Sequence, residues 1–413
     1  MTVAGAARGE RFDRWTTGRV SGPIILLVVM WVVFQLTTLV AQPLQLWLAR
    51  FFAGPVSTGA SALLRLIRLD STWVHGLVVK GIIAGVGTLL AFLPLMIIMF
   101  VLLSVLEQSG YMARAAVTAS GLMRRIGLPG EAFMPLIVGF GCNVPAVIAT
   151  RDLADPRQRR LTALLVPFTS CSARLTVYML VSSVFFGRWA GTAVFAMYVL
   201  SILLVVGVGW VMRRAMWQRW PGVPMILDLP PVHTPGWRAV VKSAWARVVD
   251  FLKTASGIVV AVVVVVWVLQ AIPVVAGHGG FGAVALDSSL FAAISRVFAP
   301  IFVLAGFGAW QLVAPLVAGF AAKEAVVSSL GQTFGGGDLT AALHGAFTAS
   351  SGGHALAAAA AFLVFVLVYT PCAATLAALR HEIGWRWTGF GVVLQLVLAW
   401  VLAVVVFQIG RLL

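Results

Sequence analysis

The chain has 413 residues, of which 61% are hydrophobic and 10% are charged, and its mean hydropathy is +1.01. About a quarter of the residues of a soluble chain are charged, so the composition excludes a soluble domain and equally a disordered chain. The net charge of +16 fits either nucleic-acid binding or the arginine-rich cytoplasmic loops of a membrane protein. The composition predicts an all-α polytopic membrane protein.

Seven runs are apolar and long enough for a helix of about 20 residues to cross a bilayer. In chain order these runs are 22–42, 80–106, 161–186, 189–212, 254–276, 355–379 and 388–410. Two further apolar stretches, 131–150 and 300–331, are interrupted by glycine and proline. Helix breakers at membrane depth are typical of re-entrant segments. We therefore expect about seven transmembrane helices and two re-entrant hairpins.

The positions of the basic residues predict the orientation of the spans. With the N-terminus in the cytoplasm, most arginines and lysines fall on cytoplasmic segments, as the positive-inside rule requires, and the C-terminus falls outside. The basic residues are spread over four segments without exposed aromatics between them, so nucleic acid is not an expected partner. The predicted division is a cytoplasmic tail (1–20), a first span with an outer amphipathic segment (21–73), a first repeat (74–213), a cytoplasmic linker (214–250) and a second repeat (251–413).

The two predicted repeats share two sequence motifs. Residues 135–150 read PLIVGFGCNVPAVIAT and residues 315–330 read PLVAGFAAKEAVVSSL; further along, 168–175 read FTSCSARL and 369–376 read YTPCAATL. Three crossings per copy predict inverted-topology repeats, which in transporters place the site near the midplane. Chance similarity between helices rich in glycine, alanine and leucine is the alternative.

The repeated motifs contain the side chains that could hold a cation. The candidates for a transport path are Cys142, Asn143, Cys171, Ser172, Glu324 and Cys372. Thiols, an amide and a carboxylate suit a divalent transition metal better than Mg²⁺ or Ca²⁺, which favour oxygen ligands. Alternatively, each cysteine packs in the core as a small hydrophobic residue and binds no ion.

Other residues of these motifs are expected to shape the helix breaks. They are Gly139, Gly141, Pro145, Pro167, Arg174, Lys323 and Pro371. A charge at membrane depth should face protein or water rather than lipid. We therefore expect Arg174 to bond backbone carbonyls of the hairpins and Lys323 to act as a counter-ion of Glu324.

Several motifs resemble the membrane domain of the ferrous iron transport protein B (FeoB) family. They are GYMARAA (110–116), LMRRIGLPG (122–130), GFGCNVPA (139–146), PFTSCSARL (167–175), the second gate motif AGFAAKEAVVSSLG (318–331) and the start RFDRW (11–15). The resemblance implies uptake of Fe²⁺ as the transported ion across the bacterial inner membrane, without a permanently bound cofactor. It also implies that Cys142, Cys171 and Cys372 line the route.

The family normally carries an N-terminal GTPase domain, and the sequence has no G-x-x-x-x-G-K-[ST] loop. We therefore expect no enzymatic activity from this chain. Either a separate GTPase polypeptide uses GTP on its behalf, or the chain was split or truncated. The expected partners also include the lipid bilayer, a small cytoplasmic accessory protein and a second copy of the chain. Three other functions stay open: a nucleoside or other small-solute carrier, a membrane enzyme, and a non-transporting anchor for a GTPase.

Overall fold

The computed structural model describes residues 18, 21–66, 72–216, 235–274, 281–282, 284–321, 323, 325–334 and 338–412. These residues are largely helical and form no β-strand, which confirms the all-α membrane class. Five helical stretches among them are long and apolar enough to cross a membrane, or six if the bent pair Leu290–Ala305 and Trp310–Phe320 is one span. The count of seven spans stays a prediction.

The first part of the chain forms ten α-helices in the described residues. They are α1 (Ser21–Phe51), α2 (Ser57–Leu66), α3 (Thr72–His75), α4 (Ala84–Gln108), α5 (Tyr111–Ile126), α6 (Phe133–Gly141), α7 (Asn143–Ala149), α8 (Pro156–Leu165), α9 (Ser172–Phe185) and α10 (Ala190–Met216). Helix α1 covers the first predicted span. Turns of π-helix at Phe52–Val56 and Gly76–Ile83 continue α1 into α2 and α3 into α4.

The second part forms seven more α-helices in the described residues. They are α11 (Trp237–Ala271), α12 (Leu290–Phe298), α13 (Trp310–Ala321), α14 (Ala325–Thr333), α15 (Leu339–Ser351), α16 (Ala355–Val368) and α17 (Ala373–Gly410). Local sequence explains two of their ends. Ser289 caps α12 by accepting a hydrogen bond from the Ala292 amide at 3.3 Å, and Gly352 ends α15 in the left-handed conformation that glycine adopts without strain.

Two interrupted segments lie in the first repeat. The predicted hairpin 131–150 consists of α6 and α7, which are joined at the extended residue Cys142. The predicted span 161–186 is divided into α8 and α9 by a 3₁₀ turn and three further residues. Asp155 begins α8 by accepting a hydrogen bond from the Arg157 amide at 2.8 Å, with proline in the first helical position.

The second repeat has more breaks than the sequence indicates. The predicted hairpin 300–331 is interrupted first at Gly306, where φ is +81° and the chain bends by 108°. A second interruption separates α13 from α14, so these two helices are the arms of the segment. The predicted spans 355–379 and 388–410 are divided between α16 and α17, and again at a kink in α17 where the φ of Gly384 is +80°.

Helix α16 lies at the centre of the bundle. Nearly all its residues are buried, as expected for a helix that is apolar on every side. It packs against α9, α15 and α17. Large apolar side chains on the outer helices remain exposed, among them Phe195, Leu203 and Val397. The bundle thus has a closely packed interior and an apolar outer surface suited to lipid.

Candidate functional site

Each of the three cysteines lies where an interrupted helix resumes. Cys142 precedes α7 with φ −151° and ψ 130°, Cys171 precedes α9 with φ −70° and ψ 162°, and Cys372 precedes α17 with φ −60° and ψ 158°. At such a break the last carbonyls of one helix and the first amides of the next have no partner within their own helix. The breaks therefore bring backbone polar groups and a thiol to the same place.

The three breaks face one cavity of about 80 Å³, which we call the thiol cavity. Its predicted members are Gly141, Cys142, Asn143, Cys171, Ser172, Lys323, Pro371 and Cys372. The remaining wall comes from α4, α11 and the start of α17, with side chains such as Met96, Phe251 and Thr375. The structure thus brings together residues that are more than 200 positions apart in the sequence.

Arg174 is fully buried beside the breaks and bonds to backbone carbonyls. Its Nη1 donates to the carbonyl of Pro167 at 3.0 Å and to that of Thr169 at 2.8 Å. Its Nη2 donates to the carbonyl of Tyr369 at 3.3 Å, which lies at the equivalent break of the second repeat. Arg174 thereby joins the two interrupted helices, and its guanidinium supplies donors to carbonyls in the buried interior.

Lys323 also donates to a backbone carbonyl, at the break between α16 and α17. Its side chain is buried, its Nζ donates to the carbonyl of Thr370 at 2.7 Å, and Nζ lies 3.0 Å from the centre of the Tyr369 ring. A carbonyl and the face of an aromatic ring both stabilise an ammonium. Glu324 lies outside the described residues, so its predicted pairing with Lys323 and its place in the path are untested.

Asn143 and the glycines fix the contact between the first hairpin and α8–α9. The Oδ1 of Asn143 accepts a hydrogen bond from the Oγ1 of Thr169 at 3.3 Å. A Cβ on Gly139 would lie 2.1 Å from the same hydroxyl, so that position has room for glycine alone. At the end of α6, Ser172 donates from Oγ to the carbonyl of Gly141 at 3.0 Å.

The predicted prolines lie at or beside the breaks. Pro145 is buried within α7, and Pro167 lies in the 3₁₀ turn that ends α8. Pro371 lies between α16 and α17 and lines the thiol cavity. Since proline lacks the amide that would continue the helical ladder, the chain can leave the helix here without an unsatisfied donor.

The described residues contain no group of three His, Cys, Asp or Glu side chains close enough to hold a metal ion. The thiols therefore surround one cavity without forming a closed ligand set there. Ligands that come from separate elements suit an ion that must enter and leave, because conduction requires weak, exchangeable binding.

Sequence reasoning missed a group of charged residues on one side of the thiol cavity. Glu382 accepts hydrogen bonds from Arg151 and Arg159, and Arg151 also contacts Asp250 at 3.3 Å. Nearby, burial raises the pKa of the Asp152 carboxyl, as does the charge of Glu107, while neighbouring arginines act in the opposite direction. The charged residues at the ends of several spans could have indicated ion pairs. Their pairing could not be inferred, because the partners lie far apart in the sequence.

Two family models match the chain. The model described as "Gate: Nucleoside recognition" matches residues 89–185 and 252–386, and the one described as "Ferrous iron transport protein B C terminus" matches residues 194–247. The two gate segments contain all three cysteines. No solved structure matches the chain.

Curated relatives match almost the whole chain. A protein of Methanocaldococcus jannaschii named Fe(2+) transporter FeoB is 36% identical over 413 residues, which cover 98% of this chain and 59% of the relative. A protein of the same name from Staphylococcus aureus strain MSSA476 is 36% identical over 407 residues, with the same coverage. A protein of Porphyromonas gingivalis named Fe(2+) transport protein A/Fe(2+) transporter FeoB fusion protein is 32% identical over 441 residues, which cover 97% of this chain and 51% of the relative.

The chain spans 59% of the length of the first two relatives. The matches fall on its apolar helices, on both gate segments and on the residues between them. The chain therefore belongs to the FeoB family and corresponds to its membrane part.

Proposed function

We propose that this chain conducts Fe²⁺ across the bacterial inner membrane through the thiol cavity, with its N-terminus in the cytoplasm. The observation that carries the proposal is the convergence of Cys142, Cys171 and Cys372 on one cavity from three separate helix breaks. Thiol ligands suit a transition metal ion such as Fe²⁺ better than Mg²⁺ or Ca²⁺, which favour oxygen alone. The names of the relatives support the same ion.

The carbonyls at the breaks are largely occupied by Arg174 and Lys323, so side chains are the main ligands that the cavity offers to an ion. We propose that the three thiols, the Asn143 amide and the Ser172 hydroxyl coordinate Fe²⁺ in turn, together with the Glu324 carboxylate. The ion keeps its oxidation state throughout. The buried ammonium of Lys323 at the cavity repels the ion and so shortens its stay.

We infer that GTP hydrolysis comes from a separate GTPase domain or polypeptide, and that a small cytoplasmic protein is a second partner. The resemblance to a family that normally carries a GTPase domain supports the first partner. The name of one relative, a fusion of Fe(2+) transport protein A with FeoB, supports the second. Fe²⁺ flux into liposomes that contain the chain should rise when the GTPase and GTP are added. Equal flux with and without them would contradict the partnership.

Removal of two thiols tests the transport path. In cells that express the chain, Cys142→Ser with Cys171→Ser should lower ⁵⁵Fe²⁺ uptake by roughly tenfold or more, the scale seen when groups around a metal site are replaced. Ser183→Ala, an exposed change on α9, is the matched control and should leave uptake unchanged. Full uptake by the double variant at normal membrane levels would overturn the role of the thiols.

A nucleoside carrier is a second candidate, because the matching gate model is described as nucleoside recognition. It predicts uptake of labelled uridine that does not depend on the thiols. The volume of about 80 Å³ argues against it, since pockets for organic ligands usually measure about 300–1,000 Å³. Uridine uptake by the double serine variant at the level of the unmodified chain would favour this candidate.

A further inference from the structure

A narrow cavity separates the thiol cavity from a much larger one. The narrow cavity measures about 10 Å³ and shares Val144, Phe251 and Ala374 with the thiol cavity. It shares Ile148 and Arg151 with a cavity of about 630 Å³, which we call the vestibule. The three cavities thus lie in series, and the narrowest lies between the thiols and the vestibule.

Charged residues surround the vestibule side of this constriction. The Glu382 side chain is 1% exposed, although it is a carboxylate, and it accepts hydrogen bonds from Arg151 Nε and Arg159 Nη2. Arg151 Nη1 also lies 3.3 Å from Asp250 Oδ2, and Arg151 Nη2 lies 3.2 Å from His381 Nδ1. We call Arg151, Arg159, Asp250 and Glu382 the ion-pair cluster.

The ion-pair cluster joins elements of both repeats. Arg151 lies in the 3₁₀ turn Thr150–Asp152 that follows α7, and Arg159 belongs to α8, both in the predicted first repeat. Asp250 lies on α11 and Glu382 on α17, which belong to the second part of the chain. A passage wide enough for an ion between Val144 and Ala374 requires α17 to move away from α7, and this movement would separate Glu382 from Arg151.

We propose that the ion-pair cluster is the gate between the thiol cavity and the vestibule, and that the structure shows this gate closed. Apolar side chains form the seal, because a dry constriction excludes a hydrated ion. The ion pairs hold the two repeats together over it, and relative movement of the repeats opens it. The proposal rests on the proposed function, in that it makes the thiol cavity a transport path.

Labelling of the native cysteines tests the gate without any iron. The full chain is placed in inverted and right-side-out membrane vesicles, and a membrane-impermeant cationic methanethiosulfonate reagent is added. Cys142 and Cys372 are the reporters, because both line the thiol cavity and are partly exposed. Inverted vesicles expose the cytoplasmic side, on which we place the vestibule. In them Glu382→Gln should raise the labelling rate by at least about tenfold, because it removes the buried carboxylate that bonds to both arginines and so weakens the closed state.

Two further variants complete the experiment. Asp250→Asn removes the half-exposed carboxylate and keeps the bonds of Glu382 to both arginines, so it should raise the rate less and should fold even if Glu382→Gln does not. Asp287→Asn is the matched control: it removes an exposed carboxylate that lines none of the three cavities and should leave the rate unchanged. Rates for Glu382→Gln and Asp250→Asn equal to that of the unmodified chain would overturn the proposal.

The outcome is separable from that of the proposed function. If the double serine variant retains full ⁵⁵Fe²⁺ uptake, the thiol path fails, whatever the labelling rates show. If uptake depends on the thiols and the labelling rates do not depend on Glu382, the path stands and the gate fails.

Discussion

The two segments that we predict to be repeats place different side chains at the aligned positions of their shared motifs. In the aligned motifs Asn143 corresponds to Lys323, and Thr169 corresponds to Thr370. The structure brings the members of each pair together: Asn143 Oδ1 accepts from the Thr169 hydroxyl, and Lys323 Nζ donates to the Thr370 carbonyl. The contact between hairpin and broken span is therefore repeated, while its chemistry changes from an amide to an ammonium.

The buried positive charges of the two segments come from positions that are not aligned. In the first repeat Arg174 follows the break, and the aligned residue of the second repeat is Thr375. In the second repeat the cation is Lys323, which comes before the break. The first break thus receives Arg174, and the second receives both Arg174 and Lys323, because carbonyls freed at membrane depth need donors that lipid cannot supply. The two segments thus supply donors to the free carbonyls of their breaks from positions that are not aligned.

The largest effect is expected from removing the cation that joins both breaks. Arg174→Met leaves the carbonyls of Pro167, Thr169 and Tyr369 without this donor, and each unsatisfied buried carbonyl costs about 1–3 kcal/mol. We expect loss of monodisperse protein in detergent, measured by size-exclusion chromatography and thermal unfolding. Arg174→Lys keeps the charge but not the planar fork, so an intermediate stability is expected. Normal stability of Arg174→Met would show that the breaks do not depend on it.

A smaller loss is expected at the two glycines that belong to the shared scaffold. A Cβ on Gly139 would lie 2.1 Å from Thr169 Oγ1, and one on Gly319 would lie 2.3 Å from the Tyr369 hydroxyl. Alanine at either position should lower the free energy of unfolding by about 1–3 kcal/mol, as overpacking does. Gly207→Ala, where a Cβ would meet nothing within 4 Å, is the control. A harmful effect at one of the two equivalent glycines alone would break the comparison.

The sequence predicted the membrane class and several helix breaks because these features depend on local signals, whereas the roles of the site residues stay predictions. Glycine and proline in apolar runs indicated breaks, and the repeated P-L-x-x-G-F and T-x-C motifs indicated which breaks belong together. The sequence predicted a loop between the spans 355–379 and 388–410, and the structure has there a helix that continues through a kink at Gly384.

Contacts between distant elements could not be predicted from local patterns. Arg174 was expected to bond carbonyls, but the link to Tyr369 depends on how α9 meets the break before α17. The hydrogen bond from Lys323 Nζ to the Thr370 carbonyl spans 47 positions and had no local signal in the sequence; the predicted pairing of Lys323 with Glu324 stays a prediction. The partners of Glu382 lie more than 200 positions earlier, and opposite charges at several helix ends allow many pairings.

The ammonium of the second repeat should affect transport more than stability. Lys323→Gln keeps a donor for the Thr370 carbonyl and removes the positive charge from the wall of the thiol cavity. Weaker repulsion should let Fe²⁺ bind more tightly, so KM for ⁵⁵Fe²⁺ uptake should fall several-fold while thermal stability changes little. Lys242→Gln, an exposed change on α11, is the control. An unchanged KM would mean that the ion does not pass near Lys323.

The smallest effect is expected where the second repeat already contains the substitution. Ser172 donates to the Gly141 carbonyl at 3.0 Å, and its aligned residue in the second repeat is Ala373. Ser172→Ala should therefore cost about 0.5–1.5 kcal/mol, the net value of one hydrogen bond, in thermal or denaturant unfolding.

The transport assay then decides what this hydroxyl does. If it serves the fold alone, uptake should follow the small loss of stability, as the alanine of the second repeat suggests. If it also binds the ion, uptake should fall well beyond that loss, and Ser172→Thr, which keeps the hydroxyl, should restore it. In that case the asymmetry between the repeats would extend to the ligands, with the first repeat supplying oxygen and sulfur at one break and the second supplying sulfur alone.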